Sequence, residues 1–399
     1  MIKTSINLGP KLRFPEFHRA WEMREIEEIT ERVSDRVVVQ KQNKYKQIGV
    51  RSHGKGIFHK QEVTGQELGN KRVFWIKPNV FVVNIVFAWE HAIALTSSNE
   101  DGMIASHRFP MYQPVADLLE IEFLYKKFLT AKGKHLLGLA SPGGAGRNKT
   151  LGQKTFAELK INIPPLPEQQ KIAAFLSAVE KKSQLLQRNK ELLDQYKKGV
   201  MQKLFSQEIR FKDEDGNDYP DWEEKRIGEI ATITMGQSPD SISYNDDGVG
   251  EPLIQGNADI KDRYSSPRRW TSQPTKICSQ GDLLLTVRAP VGSIAKSTHH
   301  ACIGRGVCSI SGYDGNETDF IYQFFLMYEP KWVRIEQGST FTAVSGSDIR
   351  ALKIDVPSKK EQRIMASCLG LLDSRLLAIK SQINGITQFK KGLLQQMFV

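Results

Sequence analysis

The stretch QYKKGVMQKLF, Gln195 to Phe205, returns as QFKKGLLQQMF, Gln388 to Phe398, at the end of the chain. This internal repeat limits the possible folds more than any other feature. At an offset of 193, Ile161–Phe205 aligns with Ile354–Phe398 over 45 residues without a gap and with 12 identities. A period this long means two copies of a whole unit rather than a solenoid of short repeats. A chain of 399 residues also exceeds what one ordinary core holds, so two domains are expected.

No proline follows Pro167 before Phe205, and none follows Pro357, so each aligned segment reads as one long helix with its entry set by proline. Positions spaced alternately by three and four give Ile172, Phe175, Val179, Lys182, Leu186, Asn189, Leu193, Tyr196, Val200 and Lys203. Their equivalents are Met365, Cys368, Leu372, Arg375, Ile379, Gln382, Ile386, Phe389, Leu393 and Gln396. Seven of ten are apolar in each copy, and the polar exceptions fall at the same places, which predicts a coiled-coil seam between the two helices. Gly370, Gly385 and Gly392 weaken the second helix, so it is expected to need its partner.

Upstream, WEMREIEEIT from Trp21 matches WEEKRIGEIA from Trp222 at an offset of 201, and the same offset relates VFAWEHAIA at Val86 to VRAPVGSIA at Val287. LRFPEF, Leu12 to Phe17, is echoed by IRF and then YPDW after the first helix. The segment after the first helix is thus imitated at the N-terminus, as if a circle had been cut open. The helices are therefore expected to run antiparallel, with the end of the second returning to the first domain and one domain at each end of the rod. The parts between are rich in β-branched and aromatic residues broken by Gly, Pro and Asn, and read as mixed α/β with more strand than helix.

Lys and Arg outnumber Asp and Glu by 56 to 45, a formal charge of +11, which favours a polyanionic partner. The longest apolar run, Val80 to Trp89, is of strand length and includes Asn84, so no membrane span is expected; nor does the N-terminus carry a signal-peptide core, which predicts a cytoplasmic protein. Cys278, Cys302, Cys308 and Cys368 show no paired spacing, and no disulfide framework is expected.

Catalytic signatures are missing. SPGGAGRNKT, Ser141 to Thr150, lacks the glycine before lysine that a phosphate loop requires. IPPLPEQ is not the Pro-Pro-aromatic tetrapeptide of an adenine methyltransferase. His299, His300, Cys302 and Cys308 match no zinc spacing, and Glu158 to Lys160 is too short a signal for a nuclease; structural roles are expected, and no bound metal.

IPPLPEQQKIAAFLSAVE, QYKKGVMQKLF, YPDWEEKRIGEI and GDLLLTVRAPVG with ACIGRGV together resemble the specificity subunits of type I restriction-modification systems, from Leu12 to Phe398. Departures are VPSKKEQ at the second spacer, the extra glycines, and NIVFAWEHAIA in the first half. The resemblance implies an α+β chain with two mixed α/β target-recognition domains separated by two long helices in an antiparallel coiled coil, with a pseudo-twofold repeat. The expected boundaries are 1–160 and 207–353 for the domains, and 161–206 and 354–399 for the helices. It implies a non-catalytic protein that reads a bipartite double-stranded DNA target, one half per domain, and positions two modification (methyltransferase) subunits. S-adenosylmethionine would belong to those subunits, and ATP and magnesium to the restriction (helicase and nuclease) subunits, none of them to this chain.

Base edges are read by Arg, Asn and Gln, and phosphates are held by Lys, Arg and hydroxyls. The candidate contacts in the first domain are Arg51, His53, Lys55, Lys71, Arg72, Arg108, Arg147 and Lys149; in the second they are Gln237, Tyr244, Asn257, Arg268, Arg269, Arg288 and Arg305. A stand-alone two-domain DNA-binding regulator is the alternative. An enzyme would need a cofactor motif that the sequence lacks.

Overall fold

A computed structural model describes residues 9–143, 149–338 and 343–398. The chain divides into two compact units. One combines Met1–Leu186 with Gln382–Val399; the other is Gln187–Ser381. The end of the chain therefore belongs to the unit that begins it.

In the first unit, Glu22–Glu25 pairs antiparallel with Lys160–Ile163 and leads into the short helix Ile26–Ile29. Next comes a four-stranded sheet in the order Thr30–Val33, Met111–Pro114, Phe81–Val83, Ile93–Leu95. Successive strand residues point to opposite faces, and here both faces are covered, which is why Phe81, Val82 and Val83 are all buried. Phe81 and Val83 pack on one side with Phe123, Phe128 and Phe156 from the helices Ile121–Phe128 and Gln153–Ala157. Val82 faces the other side, with Ile48, Ala94 and Met111.

The second unit repeats this plan. Glu223–Arg226 pairs with Lys353–Val356, and a six-stranded sheet begins Ala231–Met235, Val307–Gly312, Leu283–Thr286, Ile294–Lys296. Leu283, Leu285 and Ile310 pack with Phe320, Ile321 and Phe325 of the helix Thr318–Gly338. Leu284, Ala295 and Val307 face Ile254, Cys278 and Ile303 of a five-stranded sheet.

Register makes the correspondence exact for the sheet centres. Val82 lies opposite Ala94 and Met111, as Leu284 lies opposite Ala295 and Ser309. The offset of 201 holds for the returning strand, but the outgoing strand is offset by 202, because Val83 faces Ile93 while Leu285 faces Ile294. The first unit's hairpin is longer by one residue, a difference that a gap-free comparison of VFAWEHAIA with VRAPVGSIA cannot register.

The long helices span Leu166–Phe205 and Lys359–Gln396, the second continuous through its three glycines. In the first unit, Ile172, Leu176 and Val179 near the start of one share a core with Leu393, Met397 and Phe398 at the end of the other. In the second unit, Met201 and Leu204 share a core with Met365, Ala366 and Leu369. Start meets end in both, so the helices run antiparallel. Leu12 N donates to Gln396 O at 2.9 Å, joining the beginning of the chain to its last helix, just as Ile209 N donates to Lys203 O at 3.2 Å after the first helix.

The seam runs through alternate positions one residue later than expected. Leu176, Leu369, Leu376 and Ile383 turn inward, whereas Asn189 and Gln382 are exposed, and Tyr196 and Phe389 are 61% and 53% exposed. Phe175 meets Phe14 edge-on at 5.7 Å, so it packs on the N-terminal segment. A spacing of four then three buries more aliphatic surface on the second helix than three then four, which is the physical reason for the shift. Ile172, Val179, Met365 and Leu393 are buried, and Leu186, Leu193, Leu372, Ile379 and Ile386 partly so.

Candidate nucleic-acid interface

Each unit is tied to its helix by the same buried polar pair. Glu168 is fully buried and accepts from Arg13 Nε at 2.8 Å, Arg13 Nη2 at 2.7 Å and Trp21 Nε1 at 3.3 Å. Glu361 accepts likewise from Arg210 Nη2 at 2.9 Å and Trp222 Nε1 at 3.1 Å. The neighbouring Gln169 accepts from Glu120 N at 2.9 Å and donates to Pro164 O at 2.8 Å; Gln362 does the same with Glu317 N and Pro357 O at 2.9 and 3.0 Å. A buried carboxylate persists only when its lone pairs are met, and the Glu-Gln identity of the repeat supplies these anchors.

A second constant lies beyond the central strand. Ile85 N donates to Arg108 O at 3.0 Å, and its carbonyl accepts from Leu151 N at 2.8 Å. Val287 N donates to Gly306 O at 3.0 Å, and its carbonyl accepts from Val344 N at 2.9 Å. The same backbone junction thus gathers three segments in each unit, and Arg108, Lys149, Arg288 and Arg305 sit on them.

In the first unit the turn at Arg51 to Gly56 is closed by Arg51 N donating to Gly56 O at 2.9 Å, with His53 at φ 62° and Gly54 at φ 66°. It docks on the next turn through His53 N to Glu90 O at 2.7 Å and Gly54 N to His91 O at 2.9 Å. Lys149 reaches the Trp89 ring at 5.7 Å. Arg51, His53, Lys55, Arg108 and Lys149 therefore lie on segments in direct contact with the junction or with one another. Arg51 also stands over the Phe58 ring at 5.1 Å. Arg72 joins through its carbonyl, which accepts from His107 N at 3.3 Å, while Lys71 is exposed after the helix Gly65–Leu68. Arg147 falls outside the described residues.

In the second unit the candidates separate into two groups. Tyr244, Asn257, Arg288 and Arg305 line one polar cleft of about 630 Å³ together with Ser238 and Gln255. Tyr244 OH donates to Pro239 O at 3.1 Å and accepts from Gln255 Nε2 at 2.8 Å, which fixes the amide. Gln237 is exposed beside the cleft, its backbone N–H donating to Ile303 O at 2.9 Å. Arg268 and Arg269 are instead answered by acids. Arg268 Nε is 3.0 Å from Asp259 Oδ1 and Arg269 Nε 3.4 Å from Asp246 Oδ1.

The remaining polar residues are engaged separately. His299 Nδ1 lies 2.7 Å from Ser265 Oγ and His300 Nδ1 3.1 Å from Glu251 Oε2; Cys302 is buried, and burial pushes the Cys308 thiol up to about 12. Among the described residues no group of three or more His, Cys, Asp or Glu side chains is placed to hold a metal ion, and no helix is long and apolar enough to cross a membrane.

Comparison with known proteins gives this duplicated architecture its family. The model described as type I restriction modification DNA specificity domain matches residues 18–195 and again 219–388. The chain belongs to this family. A putative type I restriction enzyme MjaX specificity subunit from Methanocaldococcus jannaschii is 28% identical over 402 residues, covering 96% of this chain and 94% of that protein. A chain solved in work on the complex assembly and conformational transition of the type I R-M system is 26% identical, with a TM-score of 0.57 over 95% of this chain and 97% of its own. A type I restriction-modification system S subunit from M. genitalium shares the fold at 16% identity, with a TM-score of 0.68 over 98% and 99%.

Within this specificity-family chain, sequence reasoning missed Gln255. No motif marks it; only the folded contact with Tyr244 gives it a place.

Proposed function

We propose that this chain reads DNA for a type I restriction-modification complex, each unit recognising one half of a two-part double-stranded target. One observation carries the reading. The anchors at Glu168 and Glu361 and the junctions at Ile85 and Val287 are the same in both units, while the side chains displayed around the junctions differ. A constant scaffold with changing exposed polar groups suits a protein that reads two different short sequences by one mode of docking.

The reading assigns no catalytic group to this chain. Two modification subunits, carrying S-adenosylmethionine, would sit on its two equivalent faces, since a repeated surface binds a repeated partner. Restriction subunits, with ATP and magnesium, would join that assembly. The net charge of +11 supplies the sequence-independent attraction to phosphate on which such binding starts.

The test is co-expression with whatever modification and restriction genes the same genome encodes, native mass measurement, and sequencing of methylated bases in the host. Two modification subunits per chain and methylation at one two-part motif are expected. A chain that remains alone and binds a single site tightly would instead be a stand-alone regulator.

A further inference from the structure

The polar cleft of the second unit holds Arg288 and Arg305, and neither has a carboxylate partner among the described residues. That sets them apart from Arg263, Arg268 and Arg269 of the same unit, which face Glu329, Asp259 and Asp246. Two unanswered guanidinium groups in one recess repel each other, and an acceptor that takes both relieves this.

Phosphate is one such acceptor, but it presents acceptors only. The cleft also displays the amides of Gln255 and Asn257, which offer carbonyl oxygens that a phosphate cannot use. A G·C pair matches this mixture in the major groove, with guanine O6 and N7 as acceptors and cytosine N4 as donor. Gly256, Ala289 and Gly306 at the wall leave room for an edge to approach. Resting on the DNA-reading proposal above, we infer that this cleft is a guanine-reading site: Arg288 and Arg305 donate to guanine O6 and N7, and an amide oxygen accepts from the paired cytosine.

The first unit does not share the site. Next to the equivalent junction residue Ile85 stands Val86, where the second unit has Arg288 after Val287. Guanine reading at this position belongs to one half of the target alone.

The test selects from a pool of randomised duplex DNA with the full chain assembled with its modification subunits, at fixed salt. The wild type is expected to enrich a two-part motif with a fixed G·C pair in one half. Arg288→Ala and Arg305→Ala each lower the preference at a G·C position by about ten- to a hundredfold, and the milder Arg288→Lys and Arg305→Lys lower it less, all leaving the other half unchanged. Thermal melting of each variant shows whether it is folded; an Ala variant that melts early is judged by its Lys counterpart. Even weakening across all sequences with the motif intact assigns the arginines to phosphate and overturns the inference, as does a motif with no G·C pair in either half. A wild-type assembly that enriches no motif removes the DNA-reading proposal itself.

Discussion

Lys390 Nζ lies 2.9 Å from Glu180 Oε1, and the repeat exchanges the partners: Lys197 Nζ lies 2.5 Å from Asp373 Oδ1. Each lysine comes from the KKG motif of one helix and each acid from the other helix. The acids reach further, Glu180 to Lys126 at 2.5 Å and Asp373 to Gln323 Nε2 at 2.8 Å, so each also holds a helix of its globular part. Burial opposes the charge on Glu180, but hydrogen bonds from Lys126 and Lys390 outweigh it and hold the carboxyl below its ordinary 4.5. A depressed folded value means stability that is present above about pH 4.5 and lost as pH falls further. At neutral pH, Glu180→Gln should lower stability by about 1 kcal/mol. Melting curves of wild type and variant from pH 7 downward should converge below that point; a constant gap would show that the bridge does not titrate.

The buried anchors should matter far more than pairs at the surface. Glu361→Gln removes the charge that answers Arg210 and turns one of the two accepting oxygens into a donor facing Arg210 and Trp222, and is expected to cost about 3 kcal/mol, with the equivalent loss from Glu168→Gln. Glu224, paired with Lys353 in the open, serves as the control, and its Gln variant should unfold in urea like the wild type. Similar curves for all three variants would show that the anchors are not structural.

The glycines of the second helix need no special backbone shape, and a methyl group at Gly370, Gly385 or Gly392 meets nothing within 4 Å. Gly385→Ala should therefore stabilise the free chain by up to about 1 kcal/mol, seen as a higher melting temperature. A lower one would mean that the helix needs the looseness.

Thr286 holds the loop that carries Arg288. Its hydroxyl donates to Pro290 O at 2.7 Å and accepts from Ser293 N at 2.9 Å, while Gly292, at φ 89°, backs onto Trp332. Thr286→Val keeps the shape and removes both bonds, an expected loss of about 1–2 kcal/mol. In the duplex selection it should blur the G·C position without losing the motif. An unchanged profile would mean that the loop is set by Gly292 and Trp332 alone.

Much of this was legible because duplication records tertiary contacts as identities. Glu168, Gln169, Lys197 and Gln202 return at the same offset, and the first three hold buried or partly buried bonds. The antiparallel helices could be inferred from the order of pieces. The seam's phase could not, because Tyr196 and Phe389 are as apolar by composition as any core residue, and only the competing claim of Phe14 on Phe175 and the aliphatic Leu376 and Ile383 turns them outward. The cleft residues were legible by type, yet type does not distinguish Arg268, which is answered by Asp259, from Arg305, which is not. That difference depends on which acids the fold brings near: Asp259 stands only nine residues before Arg268, yet the spacing alone fixes no contact.

Phe398 lies 5.3 Å from Phe123, centroid to centroid, inside the core of the first unit, with Leu393 and Met397 beside it. These residues leave the ribosome only after the whole of the second unit has been made. The second unit, continuous from Gln187 to Ser381, has all its parts in hand before them. Domains usually mature in the order in which they are translated. Here the order is inverted: the half whose synthesis starts first must wait, with an open hydrophobic face, for Leu393, Met397 and Phe398, which arrive only after the second half is complete.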